Sequence, residues 1–244
     1  MCAAGRLQTC IYGAKESGAI LSSFVGGWLL SFMTARHVFL LAALIPLSLV
    51  IVSLVVVEER CGGETTQWSE VKKNVQKLFR AFCHPQICKP VLFLFAFNAT
   101  PASGSTWFFF YTDVTKFSST FLGTMGLVGS IFSLLGVVLF DATLRKVSFF
   151  PIFIWGTVVS VVLGCTQIFM ILRWNLAWGI PDEMFALGEA SIQGLIGWIC
   201  SMPIFILAAR LCPKGMEATM YATIMSFLNL GGLIGGQLVA FPPG

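Results

Sequence analysis

The chain has 244 residues, of which 57% are hydrophobic and 11% charged, with a formal net charge of +4 and a mean hydropathy of +0.86. Soluble domains carry roughly 25% charged residues, so this composition cannot cover a water-exposed surface. It describes an all-α membrane protein, a polytopic bundle of transmembrane helices in a lipid bilayer. The basic residues lie between apolar runs rather than in one patch, which excludes nucleic acid as a partner.

A run of about 20 apolar residues crosses the hydrocarbon core as a helix, because lipid cannot satisfy free backbone N–H and C=O groups. Seven runs meet that condition. The first, Gln8–Met33, is the least regular: Lys15 and Glu16 fall inside it, and Ser17-Gly18, Ser22-Ser23 and Gly26-Gly27 stripe it. The second is Val38–Val57. A polar loop follows, in which Trp68, Val71, Val75, Leu78, Phe79 and Phe82 recur at helical spacing, with Lys72, Lys73, Gln76, Lys77 and Arg80 on the other face. That pattern predicts an amphipathic helix lying on the membrane surface.

The third run, Pro90–Tyr111, contains Thr100-Pro101, which is placed to break the helix at membrane depth, and ends in the aromatic stretch "TWFFFYTD". Phe121–Phe140, Val147–Leu172, Met184–Ala209 and Ala218–Ala240 complete the set. The last two are joined by "ARLCPKGMEAT", where Pro213 and Gly215 reverse the chain and Glu217 falls in the first turn of the next helix.

With alternating sides, Arg6, Arg60, Lys72, Lys73, Lys77, Arg80, Lys89, Arg145, Lys146, Arg210 and Lys214 share one side. Only Arg36, Lys116 and Arg173 lie on the other. The positive-inside bias puts the amino terminus and the long loop in the cytoplasm.

Enzyme signatures are absent: there is no G-x-x-x-x-G-K-[ST], no H-E-x-x-H and no G-x-S-x-G, and the two histidines, His37 and His84, lie outside the runs. "CHPQIC" offers Cys83, His84 and Cys88 but neither a fourth ligand nor Cys-x2-Cys spacing, so no metal or cofactor is expected. The eight cysteines form no disulfide framework, and no cleavable signal peptide is evident.

Polar side chains inside spans are expensive and mark function. The candidates for substrate binding or proton coupling are Glu189, Asn98, Gln167, Gln193 and Trp107. For Asn98, and for Asn229, a hydrogen bond between helices is the competing reading; for Glu189 it is a place at the outer interface. Arg210, Lys214 and Glu217 are read as a charged cytoplasmic hinge.

"MPIFILAARLCPKGMEATMYATIMSFLNLGG" (202–232) resembles the signature of the folate–biopterin transporter family, a branch of the major facilitator superfamily. "GRLQTCIYGAKESGAILSSFVGG" (5–27), "FNATPASGSTWFFFYT" (97–112) and "WGIPDEMFALGEASI" (178–192) are similar to it as well. The resemblance implies two six-helix bundles, of which this chain holds about spans five to eleven and reads as a fragment. Residues 1–57 are then two helices from the end of the amino-terminal bundle, 58–89 the cytoplasmic connecting loop, and 90–244 five helices of the carboxy-terminal bundle. It also implies secondary transport of folate, biopterin or a related pteridine, with protons, in a plasma membrane or plastid envelope, and no obligate protein partner is evident. A facilitator for another small metabolite, or a truncated, non-functional chain, is the alternative.

Overall fold

The computed structural model describes residues 2–55, 68–101, 104–213 and 216–240. Every regular element among them is helical. In chain order these are α1 (Cys2–Phe32), α2 (Ala35–Val55), α3 (Trp68–Phe82), α4 (Pro85–Asn98) and α5 (Gly104–Phe109), which runs on as a π-helical turn, Phe110–Val114. Then come α6 (Ser119–Leu139), with its own π-helical turn at Phe140–Leu144, α7 (Phe149–Ile171), the short α8 (Trp174–Ala177), α9 (Asp182–Arg210) and α10 (Glu217–Ala240). The chain is an all-α polytopic membrane protein.

Five stretches among the described residues are long and apolar enough to cross a membrane: Ala35–Val55, Ser119–Leu144, Phe149–Ile171, Asp182–Arg210 and Glu217–Val239. Two of the seven expected runs differ. The first is one long helix, α1, which carries Lys15 and Glu16 and is not among the five. The third is divided, as Pro101 leads one to expect. Ala99 N–H still reaches the Phe95 carbonyl at 2.8 Å, but Pro101 has no N–H to continue the ladder. Thr100 turns its hydroxyl onto the Phe97 carbonyl at 2.9 Å, and a new helix starts at Gly104.

Elsewhere the helix ends follow local capping chemistry. His84 caps α4 by accepting the Gln86 N–H through Nδ1, with Pro85 at the first helical position. Ser118 Oγ accepts the Phe121 N–H at the start of α6. Asp182 and Glu183 sit in the first turn of α9 and Arg210 in its last, each favoured by the helix dipole.

Lipid supplies no hydrophobic drive between helices, so close backbone packing holds them. On α6 and α9, a Cβ on Gly136 would lie 2.5 Å from the Leu195 carbonyl oxygen, and one on Gly194 would lie 2.5 Å from that of Gly129. α1 crosses the other face of α6, where Gly27 meets Gly123. α10 lies on α4 through Gly231 and Gly235, while Gly232 and Gly236 meet open space.

Between these crossings Val91, Leu94, Phe153, Ile204, Met220 and Ile224 form one apolar core and Val137, Phe140, Ile152, Met202 and Ile206 another. α2 buries no side chain at all and presents its apolar residues outward, as a lipid-facing helix does. The amphipathic α3 docks its end on the first core through Leu78, Ala81 and Phe82, with Phe82 stacked on Phe227 at 4.9 Å. Its Val75 and Phe79 stay exposed.

Candidate functional site

Glu189 is the only acidic residue of α9 beyond its first turn, and the structure buries it to 7% exposure. Its Oε1 accepts two hydrogen bonds, from Gln193 Nε2 at 2.7 Å and from Gln167 Nε2 on α7. The first partner follows from sequence alone: residues four apart share a helix face. The second requires α7 and α9 to lie side by side, which the closeness of Gly156 to Cys200 on that interface permits. Oε2 of Glu189 is buried and has no hydrogen-bond partner among the described residues. An unpartnered buried carboxylate oxygen is costly, so this atom, like the buried Asn175 Oδ1, is left in need of a donor.

Oε2 belongs to a residue that lines a cavity of about 370 Å³, together with Gly104, Trp107, Tyr111, Met125, Gln167, Ala190 and Gln193. That volume lies in the range of small-molecule sites, about 300–1,000 Å³. Two aromatic rings form one wall. Trp107 and Tyr111 stand 5.7 Å apart between centroids, and Tyr111 is stacked on Phe117 at 5.5 Å. Met170 and Ala186, with Met125, form the buried cluster that these rings pack against. The π-helical turn at Phe110–Val114 lies within this wall, and such turns recur at functional sites.

Of the five residues singled out in the sequence, Glu189, Gln167, Gln193 and Trp107 thus come together. Asn98 does not. Its Nδ2 folds back onto the Leu94 carbonyl of its own helix at 2.9 Å, and its Cβ lies against Gly231 of α10. Its place is therefore the α4–α10 seam. Asn229 is exposed on α10. Tyr111, within the aromatic stretch "TWFFFYTD", is the added member. The signal was its place four residues beyond Trp107, on the same helix face.

At the other end of α9, Arg210 rests its guanidinium over the Phe149 ring at 5.1 Å, and Glu217 opens α10. Lys214 lies outside the described residues. In the turn between them the Cys212 thiol bonds the Ala208 carbonyl at 3.2 Å. Burial, with Glu217 nearby, pushes that thiol's pKa up.

Over residues 1–241 the chain matches the family model described as the BT1 family. It is similar to a folate-biopterin transporter of Synechocystis sp., with 37% identity over 230 residues, 94% of this chain and 46% of that protein. It is similar at 30% identity to the probable folate-biopterin transporter 6 of Arabidopsis thaliana, over 96% of this chain and 49% of the relative. Folate transporter 1 of Plasmodium falciparum is 25% identical over 92% of this chain and 43% of its own length. The chain spans about half the length of the curated relatives it matches. No solved structure gives a significant match.

Proposed function

We propose, because this chain belongs to the BT1 family, that it forms part of a secondary transporter carrying folate, biopterin or a related pteridine by alternating access. The observation that carries this reading is the unpartnered Oε2 of Glu189 beside an aromatic wall. A pterin ring is flat, and it presents an amino group next to a ring N–H. A carboxylate takes paired N–H donors through charge-assisted hydrogen bonds, and aromatic faces hold the ring by stacking.

In this reading Gln167 and Gln193 fix the rotamer of Glu189 through Oε1, leaving Oε2 for the substrate or, with the substrate gone, for a coupled proton. Trp107 and Tyr111 take the ring faces. Arg210, Lys214 and Glu217 act as the inner hinge of the transport cycle rather than in the site.

The test is uptake of radiolabelled folate and biopterin by the full-length gene product at equal surface expression. Glu189→Gln keeps the size but turns a donor toward the substrate's donors, so uptake of both falls roughly 10- to 100-fold. Glu189→Asp keeps part of it. Near-normal uptake by Glu189→Gln ends the assignment, and competition by unrelated solutes but not by pteridines redirects it to another metabolite.

A further inference from the structure

A second polar position inside the apolar region is not used by the Glu189 site. Lys15 lies in the middle of α1, and its side chain is 63% exposed, whereas that of the neighbouring Glu16 is 8% exposed. Consecutive residues on a helix point in different directions, and the two groups meet only at 3.8 Å. The Lys15 ammonium is turned instead toward α9, 5.0 Å from the centre of the Trp198 ring and 6.0 Å from that of Tyr12.

Those rings are themselves fixed. Tyr12 stacks on Phe205 at 4.2 Å and lies 5.1 Å from Trp198. Gln8, one turn before Tyr12, donates to the Tyr221 hydroxyl of α10 at 3.3 Å. The aromatic faces orient the cation through their quadrupoles without supplying a lone pair. Beyond its 3.8 Å ion pair with Glu16, Lys15 therefore keeps N–H donors for a second anion. A cation within a membrane bundle is retained where it meets a partner or a ligand, and here it sits at the edge of the aromatic step of Tyr12, Trp198 and Phe205.

We infer that Lys15, on the step formed by Tyr12, Trp198 and Phe205, is a carboxylate-binding subsite that selects anionic pteridines. This rests on the transport reading above. Trp198 lies nine residues along α9 from Glu189, about 13.5 Å and about two and a half turns. The two positions therefore face opposite sides of α9 and act on the substrate at different stages of passage. Folate, which bears a glutamate tail, has the carboxylates that Lys15 takes; biopterin has none. The subsite sets preference between substrates, and Glu189 serves both.

The experiment compares folate and biopterin uptake by the full-length gene product and its Lys15→Gln and Lys15→Arg variants at equal surface expression. Lys15→Gln raises the KM for folate about tenfold while biopterin changes less than twofold; Lys15→Arg keeps the folate KM within about threefold. Loss of both substrates in parallel, or of neither, overturns the assignment and leaves the transport reading standing. A wild-type protein that carries neither compound overturns both.

Discussion

At the scale of single residues, the site is governed by which oxygen of Glu189 is already engaged. Both glutamines bind Oε1, so removing one of them leaves the carboxylate in place but frees its rotamer. Gln193→Leu is expected to weaken substrate binding by about tenfold, less than Glu189→Gln, with the change appearing in KM and not in the maximal rate. Trp107→Ala removes one wall and is expected to raise KM about 5- to 10-fold, with Trp107→Phe recovering most of it. Uptake kinetics on both variants check this, and an unchanged KM in Trp107→Ala places the ring outside the site. The sequence made these residues legible because a polar group in a span must face inward. Asn98 obeys the same rule differently: its amide is satisfied by a carbonyl four residues back, an option open to any short amide on a helix. No pattern in one sequence separates that case from a ligand-facing side chain.

At the scale of elements, the break between α4 and α5 sets where the aromatic wall stands, and α10 holds the division in place. A Cβ on Gly235 would fall 2.5 Å from the Thr100 carbonyl oxygen and 3.1 Å from the Ala99 carbonyl carbon, both backbone atoms at the break. Gly235→Ala therefore forces α10 away from the break and is expected to destabilise the bundle by about 1–3 kcal/mol. Gly236→Ala, which meets nothing within 4 Å, is expected to be neutral. Thermal unfolding of the two purified variants in detergent compares them directly, and equal melting temperatures refute the seam. The break was visible in the sequence as Thr100-Pro101, and so was the pair of glycine registers in "GGLIGGQ". Which register faces α4 was not, since both fit a close crossing. The extent of α3 was likewise readable from its apolar stripe. Its docking on Phe227 was not, because a stripe facing lipid headgroups and one facing a neighbouring helix have the same period.

At the scale of the whole molecule, one end of the bundle gathers positive charge. Arg145 bonds Asp141, which also accepts from Thr9, and Arg210 lies over Phe149, so Arg145, just after the π-helical turn of α6, and Arg210, at the end of α9, both lie by the start of α7. Lys116 and Arg173 mark the opposite end, where Arg173 is held by Asp182. The positive-inside rule predicts that the basic end faces the cytoplasm, and two of its cysteines test that orientation at different rates. Cys83 is exposed just beyond α3. Cys212 is half-buried and bonded to the Ala208 carbonyl, and its raised pKa leaves less thiolate at a given pH. The thiolate is the reactive form. With single-cysteine variants of the full-length gene product in intact cells, an impermeant maleimide is expected to label Lys116→Cys but neither Cys83 nor Cys212. After permeabilisation Cys83 reacts first, and Cys212 catches up as the pH is raised, because its thiol ionises at higher pH. Labelling of Cys83 from outside intact cells inverts the topology. A Cys212 that reacts as fast as Cys83 at neutral pH shows that the turn between α9 and α10 is open, not packed.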